Sequence, residues 1–158
     1  MAQSSGTPLD EIQWREPEAV KFYGGIGAEN VHLYFMQSPF CDPTSNNKVL
    51  ELQARFNTEL YPMLASRVEF EKRLRSMSGV EYIVVAGPAK TQPGMNPVWV
   101  IRKQRRTKLR GSMDDVDTLG TYFAVGENVY QAPSVLDIIT CRLVSRPLSN
   151  GTATKNRR

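Results

Sequence analysis

An α+β fold is predicted by the order in which hydrophobic periodicity changes along the chain. Helical spacing dominates as far as Met77, and four strand-like runs follow between Glu81 and Ala132. The links between those runs are short, which favours an antiparallel four-stranded meander, a curved sheet or roll, over a parallel sheet. N-terminal helices and one C-terminal helix are expected to pack against it.

The elements follow in chain order. Residues 1–10 are small and polar and are expected to be disordered. In the next segment Trp14, Val20, Phe22 and Tyr23 are the candidate anchors before Gly24, Gly25 and Gly27 break the chain. A helix is predicted over Ala28 to Gln37, with Val31, Tyr34 and Phe35 at i, i+3 and i+4, stopped by Ser38-Pro39. A second helix, Asn46 to Leu60, shows the stripe Val49, Leu52, Phe56, Leu60 after an N-cap at Thr44 or Ser45. A third, Ser66 to Met77, carries Phe70, Leu74 and Met77 on one side, with Gly79 as its stop.

The strand runs are rich in β-branched and aromatic residues: Glu81 to Ala86, Pro97 to Lys103, Leu119 to Val125 and Val129 to Ala132. Gly126-Glu127-Asn128 is the tight turn between the last two. Pro133 ends the sheet, Ser134 caps a helix, and Val135, Ile138, Ile139 and Leu143 are expected to face the sheet. Residues 11–145 thus form a single domain, followed by a flexible basic tail at 146–158.

A chain of 158 residues, 41% hydrophobic and 23% charged, is long enough to bury one core. No apolar run approaches the roughly 18 residues of a membrane helix, and the first ten residues have no basic and apolar signal pattern. Cys41 and Cys141 read as free thiols, and two cysteines with one histidine are too few for a structural zinc site. The net charge of +4 is concentrated: Arg102, Lys103, Arg105, Arg106, Lys108 and Arg110 contribute six positive charges in nine residues, with no acid among them.

Catalytic patterns are weak. His32 is the only histidine, and it sits at or beyond the edge of its helix stripe, where a surface or half-buried place is expected and no orienting partner is evident. The Gly24–Gly27 turn opens a helix, yet Asn30 occupies the place of the last small residue of a dinucleotide fingerprint, no phosphate-loop Gly-Lys-Ser/Thr follows, and Glu29 would repel a phosphate. Asp114, Asp115 and Asp117 lack the further spaced ligands of a calcium loop and read as a solvated loop that could pair with the basic segment. Tyr82, Trp99, Tyr122, Phe123 and Tyr130 could line a small-molecule pocket between sheet and helix, or fill the core. The basic segment serves as solvated strand end and loop, import signal, acidic-partner surface or nucleic-acid patch; the absence of interleaved aromatics argues against stacking on single strands. By elimination the residues favour an interaction module over an enzyme.

Four strings then carry a family resemblance: SPFCDPTSNN at 38–47, GVEYI at 79–83, WVIRKQ at 99–104 and TYFAVGENVYQAPS at 121–134. In this order they resemble the Mediator subunit 6 family, and EFEKRLRSM at 69–77 is similar to its fungal members. Cys41 stands where the family usually shows an aromatic, and family members continue well beyond the position of Arg158. The resemblance implies an α+β roll with no cofactor and no catalysis. It implies a nuclear subunit of the Mediator head module, part of the coactivator that bridges gene-specific activators and RNA polymerase II. Its partners would be other head subunits, and the polymerase as part of the assembly, without membrane or specific DNA binding. The basic strip Arg102, Lys103, Arg105, Arg106, Lys108 and Arg110 is the expected surface for an acidic partner.

Overall fold

The computed structural model describes residues 13–88, 93–134, 139 and 143. A short strand β1 (Gln13–Trp14) is followed by helices α1 (Pro17–Tyr23), α2 (Val31–Gln37) and α3 (Asn46–Arg55), a 3₁₀ helix (Tyr61–Ala65) and α4 (Arg67–Leu74). Strands β2 (Gly79–Ala86), β3 (Val98–Thr107), β4 (Asp115–Val125) and β5 (Asn128–Gln131) complete the sheet. The α+β class holds, but the antiparallel sheet has five strands, in the order β1-β5-β4-β3-β2. The added strand is β1, whose two residues pair with Val129 and Tyr130 and are too few to show any period.

The helices are shorter than their apolar patterns suggest, because local side chains intervene. Asn30 folds back on the glycine turn, accepting from Gly27 N and donating to Gly25 O, so α2 begins at Val31. α3 ends at Arg55, where Asn57 turns the chain by accepting from Glu59 N, and Pro62 then sits in the first turn of the 3₁₀ helix. Ser66 caps α4 by accepting from Glu69 N. Gly126 supplies the positive φ, 60°, that the two-residue turn between Val125 and Asn128 requires at its first position.

Strands β3 and β4 run further than predicted, taking in the basic segment and Asp115 to Thr118. A bulge interrupts their pairing, with Lys103 opposite Gly120 and Gln104 opposite Thr118. β5 pairs only with Tyr122–Val125, so the first half of β4 has a bare outer edge among the described residues. Of the predicted C-terminal helix, Ile139 and Leu143 are helical but exposed rather than packed on the sheet; the remaining positions lie outside the described residues, as does Cys141.

One face of the sheet carries the core. Phe35 of α2 lies 5.1 Å from the Tyr82 ring and 5.2 Å from Tyr122, and Trp99, Ile101 and Ala124 are buried beside them. Tyr34 fastens the far side: its hydroxyl donates to Glu127 O at 2.6 Å and accepts from Glu16 N at 3.0 Å. Tyr82 fastens the near side, donating to Phe40 O and accepting from Asp42 N, both at 3.0 Å. Cys41 is buried and free, and burial pushes its thiol pKa up, which suits a small packing residue.

The edge strand β2 is closed by side chains. Asn47 of α3 accepts from Tyr82 N at 2.8 Å and donates to Tyr82 O at 2.9 Å, as a neighbouring strand would. Glu71 of α4 accepts from Val84 N at 3.0 Å and is itself held by Arg67 at 3.3 Å. Both side chains are buried. Asn47→Ala leaves two buried backbone groups unpaired and is expected to lower stability by about 3 kcal/mol, read as a lower urea midpoint at unchanged slope.

His32 is buried more deeply than the surface or half-buried place expected, because α2 presses it against Phe70 at 5.1 Å between ring centroids. Neither ring nitrogen has a partner among the described residues, and burial, with the charge of Arg67, pushes its pKa down from 6.5 to about 4. The unfolded chain therefore takes up a proton that the fold refuses. The contribution is full above pH 6.5 and is lost as pH falls through 6.5 toward 4. The loss is expected to total on the order of 3 kcal/mol. In paired denaturation series His32→Leu should remove this part of the acid sensitivity; identical slopes in both proteins would refute it.

Candidate functional site

The basic segment is a strand, and that decides what each of its charges can do. Successive side chains of a strand point to opposite faces. Arg102, Gln104 and Arg106 share a face with Glu81, whereas Lys103 and Arg105 share the other with Tyr82 and the helices. The strip is therefore divided between two sides of the sheet, and a flat partner would meet only part of it.

Arg106 is committed to the fold. Its Nη2 and Nε lie 2.7 and 3.1 Å from Glu81 Oε1, and its Nη1 lies 3.1 Å from Asp114 Oδ2. Gln104 Nε2 donates to the same Glu81 oxygen at 2.7 Å. Glu81 is fully buried, so its carboxylate depends on these donors. The bond to Glu81 raises the Arg106 pKa still further above its ordinary value. Lys108 donates to Asp114 at 2.7 Å and to Arg75 O, and the bonds from Lys108 and Arg106 hold the Asp114 carboxyl below its usual range. Lys103 Nζ sits 5.8 Å from the centre of the Tyr82 ring, within cation–π reach. Arg102, Arg105 and Arg110 are exposed and make no ion pair among the described residues.

The other candidates dissolve into structure. Asp114 is occupied by Arg106 and Lys108, while Asp115 and Asp117 are strand residues opposite Thr107 and Arg105. No group of three or more His, Cys, Asp or Glu among the described residues is placed to hold a metal. The glycine turn is closed by the Asn30 amide. Tyr82, Trp99 and Tyr122 are buried in the core, whereas Phe123 and Tyr130 pair on the opposite face, so the five do not converge on one pocket.

The apolar stripe of α3 is open rather than covered by the sheet. Val49, Leu52 and Phe56 are 39%, 59% and 84% exposed, and α3 buries Asn47, Leu50 and Ala54. Beside α3 lies a cleft of about 460 Å³ whose walls include Phe22, Tyr23, Leu33, Glu51 and Tyr61. The apolar period was visible in the sequence; the side it faces was not.

Comparison with known proteins agrees with this architecture. The family model described as MED6 mediator sub complex component matches residues 12–155. Mediator of RNA polymerase II transcription subunit 6 from Coccidioides immitis is 43% identical over 92% of this chain and 46% of its own length. The Neurospora crassa subunit is 44% identical over 90% of this chain and 42% of its own. The chain thus spans about half the length of these relatives. Among solved structures, the Schizosaccharomyces pombe Mediator subunit Med6 matches with a TM-score of 0.61 and 33% identity, over 87% of this chain and 89% of that one. A chain in the structure of the S. pombe Mediator head module matches with a TM-score of 0.60 and 31% identity, over 86% and 79%. With a family match across nearly the whole chain and the same fold in a solved relative, the protein belongs to the Mediator subunit 6 family.

Proposed function

We propose that this domain is a non-catalytic scaffold of the Mediator head module, acting in the nucleus in RNA polymerase II transcription. The observation that carries the reading is the match of 86% of the chain to a component of the S. pombe head module. The side chains fit such a role. The β2 edge and the core are fastened by side-chain bonds to the backbone, which makes a rigid body, and cations remain on its surface. In this reading the partners are other head subunits, with the polymerase met through the assembly, and neither cofactor nor specific DNA readout is needed.

Within the basic strip the division of labour is sharper than the sequence suggests. Lys103 and Arg105 on one face of the sheet, and Arg102 and Arg110 apart from them, stay available to an acidic partner, whereas Arg106 and Lys108 are engaged within the fold. Coexpression with the head subunits of the same species, followed by size-exclusion chromatography at moderately high salt, is expected to give stoichiometric co-migration. A folded chain that elutes alone would overturn the scaffold reading for this length of chain.

Two substitutions separate partner contact from stability. Arg105→Glu should weaken co-migration in low salt at an unchanged melting temperature. Arg106→Ala strands the buried Glu81 carboxylate and should cost about 3 kcal/mol of stability. Equal melting temperatures for the two variants would refute this assignment.

A further inference from the structure

The sheet is one strand short along half of β4. Strand β5 covers Tyr122 to Val125, and a bond from Ala132 N to Thr121 O at 2.9 Å closes that line. Before Thr121, the side of β4 turned away from β3 meets no strand among the described residues. The stretch left open is regular. Asp115, Val116, Asp117 and Thr118 stand opposite Thr107, Arg106, Arg105 and Gln104 without a shift, and the bulge comes only after them. Asp115 to Leu119 are all exposed. At roughly 3.4 Å per residue they span about 17 Å, the length of an ordinary strand.

Alternate residues of such an edge turn their N–H and C=O groups outward in the plane of the sheet. An extended chain meets that row with matching groups, whereas a helix has its peptide groups paired within itself and offers none. The side chains then select the sequence of the guest. Asp115 and Asp117 lie on one face, two residues apart, and neither is in an ion pair among the described residues. Arg105 stands opposite Asp117 on β3, so a cation on the other side of Asp117 continues an alternation of charge from strand to strand. Val116, 38% exposed, lies between the two acids on the other face and suits a β-branched neighbour. The same acids repel a nucleic-acid backbone or an anionic peptide. We propose that the first half of β4 takes up, as an added strand in line with β5, an extended segment of another protein with lysine or arginine at every second position. The proposal stands apart from the scaffold reading, since it needs no head subunit.

The test uses the full chain and a labelled peptide of about seven residues that alternates lysine and valine. A peptide of the same composition with its lysines in one block, and one alternating glutamate and valine, serve as controls. By fluorescence anisotropy the alternating lysine peptide should bind about tenfold more tightly than either control. Hydrogen exchange on the parent chain, which depends on no variant, should slow at 115–119 when that peptide is added. N-methylation of its interior peptide groups should abolish binding, which attraction between charges alone would survive. Asp115→Asn/Asp117→Asn, which keeps side-chain size at two exposed positions, should weaken binding about tenfold. Equal binding of the alternating and block lysine peptides, or slowed exchange only elsewhere, would overturn the proposal in favour of diffuse charge attraction. Exchange already slow at 115–119 in the free chain would overturn it too, with the edge held by the chain itself or by a second copy, which size-exclusion chromatography tells apart. Failure of the alternating lysine peptide to bind overturns it outright.

Discussion

A β-sheet edge must either be paired or be covered, because its outward N–H and C=O groups otherwise lose their partners when the core forms. Here the sheet grows from β3 in both directions, and on the β2 side no further strand arrives among the described residues. Asn47 takes the place of that strand with a side-chain amide that both donates and accepts, and Glu71 completes it one pair of residues along. These bonds fix α3 and α4 against the sheet. They thereby fix the position of Phe70 and Leu74 beneath α2, and with them the helical layer. The inner face of α3 buries Asn47 together with Leu50 and Ala54, and Val49, Leu52 and Phe56 lie on its outer face.

The two buried tyrosines perform the corresponding task across the core. Tyr34 ties the β4–β5 turn and the entry to α1 to α2, and Tyr82 ties the loop at Phe40 and Asp42 to β2. Each hydroxyl accepts one backbone bond and donates another, so the aromatic body contributes burial while the oxygen keeps its partners. The cluster of Phe35, Phe40, Tyr82 and Tyr122, with centroids 5.1 to 6.0 Å apart, occupies the space where a ligand pocket was conceivable from sequence.

What was legible in the sequence depended on whether an element answers to its own core. The stripes Val31, Tyr34, Phe35 and Phe70, Leu74 face inward as their spacing says, and four of the five strands follow from residue type. The stripe of α3 misled because periodicity reveals which face is apolar, not what covers it. The far half of β3 passed for a loop because charges hide strand alternation from any hydrophobic measure. The role of Arg106 was out of reach, since it depends on Glu81, 25 residues away in the chain and brought alongside only by strand register. Of the strip as a candidate surface, its location was readable and its division between two faces was not.

The outer edge at the start of β4, unpaired among the described residues, carries a different risk from the closed edge at β2. An open strand is a template on which a second molecule can add, and five successive exposed residues, Asp115 to Leu119, invite that addition. Two features counter it. Asp115 and Asp117 place like charges along this edge, which disfavours self-pairing in the registers that bring them together, and the bulge beside Thr118 interrupts the straight register that stacking copies need. Charge and a bulge are two of the general means by which a long strand can end in solvent without pairing to a second copy.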